Sequence, residues 1–219
     1  MNGLELEDLR WAGAGTYAII PGRLRVEPGA VGVVVAEPAA GSALADVLTG
    51  MSRPLHGTVL LHGAPVTGLP AGECPVALVP CGGGLLPHLT VEGNAGFGLA
   101  GRVPRFTRQR VVREVLDRLQ LESVRRQRPP EISPVQRLRA AVARALCAGA
   151  GAVVVEDRRG QFPCRAAVMT AAAQDLPVLV ITDDPRRAEV LGAAVEATCQ
   201  PVPGASGASR EAAHQPAVL

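Results

Sequence analysis

A buried strand, a loop of small residues and a helix follow one another between Val31 and Gly50. That layout aims the amides of a helix N-terminus at a phosphate. The loop reads Ala36-Glu37-Pro38-Ala39-Ala40-Gly41-Ser42-Ala43. It lacks the cation such loops use, because all 22 basic residues of the chain are arginine. A Schiff-base lysine, a lysine general base and a phosphate-gripping lysine are therefore excluded. Codon bias accounts for the composition, which Ala, Gly, Pro and Arg dominate, and leaves the chemical consequence unchanged. Two further apolar runs end in carboxylates, Ala152–Val155 in Glu156-Asp157 and Pro177–Thr182 in Asp183-Asp184-Pro185. Ser133, with Pro134 after it and Gln136 three residues on, has the spacing of a helix capping box. The five cysteines (Cys74, Cys81, Cys147, Cys164, Cys199) are scattered, and no Cys-x-x-Cys supports a zinc site or disulfide framework. The four histidines (His56, His62, His88, His214) show no ligand spacing.

The elements that must position these groups read as follows. Leu4–Leu9 alternates as a half-exposed strand, and 17–26 is a second strand interrupted at Pro21-Gly22. The β-branched run Val31–Val35 is a buried parallel strand, and a helix runs from Ser42 to Leu48 with Gly50 as its cap. Strands follow at Thr58–Leu61 and Val76–Val79, then a flexible joint at Gly82-Gly83-Gly84. Helical periodicity spans Arg108–Leu119, and Ser133 opens another helix. Strands at 152–155, 177–182 and 195–198 complete an α/β chain, and 201–219 is a disordered tail.

Composition limits the function classes. The formal charge is +2 and aromatics make up 2%, so neither a basic field nor a stacking platform for nucleic acid is expected. No apolar stretch is long enough to span a membrane, and the N-terminus has no signal-peptide pattern, so a cytoplasmic protein is expected.

The order of landmarks resembles the ATP-binding subunit of ABC transporters across residues 4 to 199. Val26-Glu27-Pro28-Gly29 looks like the turn before the Walker A strand, and Gly50 through Gly63 like the stretch after the Walker A helix. Leu85-Leu86-Pro87-His88-Leu89-Thr90-Val91-Glu92-Gly93-Asn94 resembles the segment after the Q-loop, and Gln136 through Leu146 the helix after the signature motif. The resemblance implies a P-loop NTPase-like core with a mixed sheet, and a helical subdomain at roughly 82–145 within a domain of 1–200. It also implies ATP and magnesium as ligands. The implied partners are membrane-embedded transporter subunits and a second ATP-binding subunit, with the chain peripheral on the inner face of the membrane.

The departures from the family pattern fall on its chemistry. The Walker A loop is one residue short: either the lysine is deleted between Gly41 and Ser42, or Gly41 stands in its place. Pro38 offers no amide and Glu37 adds negative charge. Cys81 takes the place of the Q-loop glutamine and is a poor magnesium ligand. The signature reads Ile132-Ser133-Pro134-Val135-Gln136, keeping Ser133 and Gln136 without the glycines. Glu156-Asp157 reverses the Walker B order, which makes Glu156, with Ser42, the candidate magnesium pair and Asp157 the candidate water-activating carboxylate. Asp183 stands where the switch histidine belongs, and Arg158 and Pro163 hold the two positions after Walker B. Trp11 and Tyr17 are the candidates for an adenine-stacking aromatic, and either also suits the core.

Plain structural roles are available for each motif: a tight strand-to-helix turn at Gly41-Ser42, a helix cap at Ser133 and Gln136, and an N-cap at Thr182–Pro185. At Glu156 and Asp157 the plain role is a pair of solvated carboxylates facing Arg158 and Arg159. The expected function is a degenerate subunit with little or no ATP hydrolysis, acting as a non-catalytic companion in an ABC transporter. A soluble regulatory or scaffold protein, and weak ATP binding with impaired hydrolysis, are the alternatives.

Overall fold

The computed structural model describes residues 3–13, 16–158 and 164–201. In chain order the strands are β1 Leu4–Gly13, β2 Thr16–Val26, β3 Val31–Val35, β4 His56–Leu61, β5 Ala64–Pro65, β6 Val76–Val79, β7 Ala152–Asp157, β8 Val178–Thr182, β9 Val195–Thr198 and β10 Gln200–Pro201. The helices are α1 Pro38–Leu48, α2 Val91–Ala95, α3 Arg105–Arg118, α4 Pro134–Cys147, α5 Cys164–Ala172 and α6 Arg187–Leu191. Among them none is long and apolar enough to cross a membrane. Residues 202–219, most of the expected tail, lie outside the described residues, as do Arg159 and Pro163.

Two five-stranded sheets organise the chain, one ordered β10-β2-β1-β4-β5 and antiparallel, the other ordered β6-β7-β8-β3-β9 and parallel. The parallel strands are short valine-rich runs because both of their faces are covered. Val33, Val153, Val155, Val178 and Val180 pack against a core that includes residues of α2 to α6. Val34, Val154, Leu179 and Ile181 face the other way, into a core shared with α1 and the antiparallel sheet. A single helix, α1, is thus held between the two sheets.

Several boundaries differ from the sequence expectation for identifiable reasons. β2 runs through Pro21-Gly22 without a break, because a bulge in β1 at Asp8 (φ 44°) absorbs the irregularity and Gly22 N donates to Asp8 Oδ1 at 2.8 Å. α1 starts four residues earlier than Ser42, at Pro38, whose fixed φ suits a first helical position. It stops where expected: Gly50 has φ +76°, and a Cβ there would lie 2.2 Å from the Leu69 carbonyl oxygen. The Gly82-Gly83-Gly84 segment is pinned, with Arg144 donating to Gly84 O at 2.7 Å and Gly83 N to Pro80 O at 2.8 Å. α2, α5 and α6 are short and carry too few turns to show a period.

Candidate nucleotide site

The C-terminal ends of β3, β7 and β8 meet the N-terminus of α1, the place where open parallel sheets bind ligands. Ala36 N donates to Thr182 O at 2.8 Å, tying the end of β3 to that of β8. Only Ala36 and Glu37 separate β3 from α1. The residues that should have formed a phosphate-cradling loop are instead the first turn of the helix. Gly41 N, a would-be cradle amide, donates to Glu37 O at 2.8 Å. Pro38 has no amide to offer, and Glu37 at the N-cap makes no side-chain capping bond.

This first turn is braced from behind. Trp11 is fully buried and its Nε1 donates to Ala40 O at 2.9 Å. The ring is therefore part of the core and is closed to stacking, while Tyr17 is half-buried in β2.

The structure brings Gly41, Ser42, Glu156 and Asp183 to one small cavity, together with Arg158 and Thr182. Ser42 Oγ donates to Pro38 O at 2.9 Å, back into its own helix. Arg158 Nη2 donates to Ser42 Oγ and lies 3.4 Å from Glu156 Oε1. The two expected magnesium ligands are thus bridged by a guanidinium. The open space measures about 10 Å³, near the minimum for one water. Pockets for molecules the size of a nucleotide run to hundreds of cubic ångströms. These residues do not match the family's way of holding ATP with magnesium: the loop and the lysine are missing.

The remaining candidates lie elsewhere. Asp157 alternates with Glu156 along β7 and points to the opposite face, fully buried. There Arg187 Nε donates to its Oδ2 at 2.5 Å, while Oδ1 has no hydrogen-bond partner. Cys81 is exposed in the turn after β6 and does not line the cavity. Ser133 and Gln136 satisfy one another: Gln136 N donates to Ser133 Oγ at 3.2 Å, and Ser133 N to Gln136 Oε1 at 2.9 Å. The N-cap expected at Thr182–Pro185 is displaced. α6 begins after Arg186, and Asp184 Oδ1 accepts from Arg186 N at 3.0 Å within the preceding turn. Among the described residues, no group of His, Cys, Asp and Glu could hold a metal ion.

The expected facing of Glu156 and Arg158 is seen, while the Arg158 bond to Ser42 was not expected from the sequence. Arg187 pairs with a residue thirty positions away, and nothing in the sequence marks it.

A parallel sheet that carries a helix at its carboxyl edge, roofed by an antiparallel sheet and flanked by a helical segment, defines the architecture of the ATP-binding cassettes. The ABC transporter family model matches residues 22–155, and the chain belongs to that family. It is 34% identical to an Fe(3+) ions import ATP-binding protein of Pseudomonas fluorescens over 152 residues, 67% of this chain and 42% of that protein. It is 38% identical to a thiamine import ATP-binding protein of Ruegeria over 118 residues, 53% of this chain and 51% of that one. The matches therefore span about half or less of these relatives' lengths. Among solved structures, cbiO1 from Clostridium perfringens superposes with a TM-score of 0.65 at 16% identity, covering 83% of this chain and 78% of that one. The ADP conformation of MJ1267, an ATP-binding cassette of an ABC transporter, gives 0.67 at 18% identity, covering 83% and 81%.

Proposed function

We propose that this chain is a non-catalytic member of the ABC transporter family. It keeps the cassette scaffold, holds no ATP at the usual place, and acts as a companion to membrane-embedded subunits of an import system, beside a second ATP-binding subunit. The observation that carries the reading is the connection from β3 to α1. Two residues replace the phosphate loop, and Arg158 fills the gap between Ser42 and Glu156. A lost charged contact costs about 2–5 kcal/mol, so the missing lysine alone removes orders of magnitude in affinity. Asp157, held under Arg187 on the far face, is not placed to activate a water. The import setting comes from the relatives, whose names concern iron and thiamine. Residues 82–145 form the proposed docking subdomain.

Titration with a fluorescent ATP analogue in excess magnesium tests the nucleotide half. No saturation is expected up to about 1 mM, and saturable micromolar binding overturns the reading. Purification from membranes, with identification of co-purifying proteins, tests the companion half. Recovery with transmembrane subunits is the expected result. A chain that stays alone in the soluble fraction replaces this reading with the scaffold one.

A further inference from the structure

The end of α3, the middle of α4 and the end of α5 close around a pocket of about 300 Å³. Arg118, Gln120, Arg139, Thr170 and Gln174 form its polar wall, and Met169, 50% exposed, forms an apolar side. No carboxylate is among the lining residues. Each guanidinium is held by a side-chain amide. Arg118 Nη2 donates to Gln174 Oε1, and Arg139 Nη1 donates to Gln120 Oε1 at 3.2 Å. Among the described residues neither arginine forms an ion pair. Their acidic neighbours along the chain stay off the wall. Glu114, one turn before Arg118, pairs with Arg110 at 3.8 Å, and Asp117 and Asp175 do not line the pocket.

A glutamine oxygen orients a guanidinium without cancelling its charge, so the wall keeps two positive charges and no negative one. Each fork spends one N–H on its glutamine, and its others bond no described residue. Two features set this pair apart from ordinary surface arginines. Gln120 follows the end of α3 at φ 57°, in the left-handed region where glycine is the usual choice. The chain keeps a side chain there, and that side chain positions Arg139. A cation in a last helical turn also answers the helix dipole. That accounts for Arg118 alone, because Arg139 lies in mid-helix.

We propose that this pocket binds the phosphoryl group of a small phosphate monoester. Two guanidinium forks reaching from separate helices suit a tetrahedral dianion, whereas a planar carboxylate is satisfied by one fork. The Met169 side receives the small organic group. About 300 Å³ is the lower limit of small-molecule sites, so a nucleoside triphosphate exceeds it. The ligand touches α3, α4 and α5 at once and fastens the helical segment to the core. The pocket shares no residue with the cavity at α1, and the proposal does not depend on the state of that site.

Isothermal titration of the full chain with glycerol 2-phosphate tests it, without magnesium and at about pH 8, where the ester is a dianion. Saturable binding with a Kd of about 1 mM or below is expected, with succinate about ten-fold weaker and about 1 mM ATP unable to compete. Arg118→Gln and Arg139→Gln should each weaken binding about ten-fold, the value of one charged hydrogen bond. Arg118 is exposed, so its variant keeps the test open if Arg139→Gln misfolds by circular dichroism. Gln120→Gly relieves the left-handed backbone, so it should weaken binding without lowering the melting temperature, a split that a purely structural glutamine would not give. Arg53→Gln, exposed and outside the pocket, should bind as the parent does. No saturable binding, tighter binding of succinate, or parent-like binding by folded Arg118→Gln and Arg139→Gln overturns the proposal. So does loss of binding in Arg158→Gln with Arg118→Gln like the parent, which puts the anion at α1.

Discussion

Asp157 and Arg187 form a buried charged pair. The carboxylate is fully buried, one of its oxygens has no partner, and Arg187 is itself only 14% exposed. Removing one member of a buried pair leaves an uncompensated charge, at a cost of about 3–5 kcal/mol. Arg187→Ala should therefore lower the unfolding free energy by that amount in urea denaturation. A second residue-scale contrast is between two thiols. Burial pushes the Cys147 thiol up to about 11, so it stays protonated through the neutral range, whereas Cys81 stands in solvent. Iodoacetamide at neutral pH should label Cys81 in the folded protein and reach Cys147 only after unfolding, as peptide mass spectrometry will show. At this scale the sequence was legible wherever partners were local. The Ser133–Gln136 box follows from a spacing of three, whereas Glu156 and Asp157, expected as one pair of solvated carboxylates, are sent to opposite faces by the alternation of the strand, with Asp157 buried. The Arg187 contact depends on the fold and left no mark on the sequence.

At the scale of elements, the question is what ends β3 and begins α1. A polar residue at Ser42 looks like a helix start, but the helix begins at Pro38, with Ala39 and Ala40 as strong helix formers. The core strands were legible because β-branched runs bounded by turn residues have few other uses. The start of α1 was not, because family spacing drew attention to a loop that the chain has replaced by helix. Inserting a lysine between Gly41 and Ser42 adds a residue inside α1 and turns everything after it by about 100°. Leu44, Ala45 and Leu48 would then leave their core positions unless the first turn unwinds, against the Trp11 bond to Ala40. The inserted variant should be less stable in thermal denaturation and should gain no binding of a fluorescent ATP analogue. Ser133→Ala should cost about 1 kcal/mol in urea denaturation, the usual value of a lost cap, through stability alone.

Over the whole molecule, the parallel sheet is the shared wall of two cores. Its odd-numbered valines on β7 join the helices and its even-numbered residues join α1 and the antiparallel sheet. One consequence of the two-residue link between β3 and α1 concerns energy supply. A protein that holds a ligand at 100 times its dissociation constant gains about 2.7 kcal/mol of stability from it. On the proposed reading this chain has no such reserve from nucleotide, and its native state rests on its own packing. Its melting temperature should be unchanged by millimolar ATP and magnesium in differential scanning fluorimetry, and a rise of several degrees would contradict this. Such a fold would be equally durable in a starved cell and in a well-fed one.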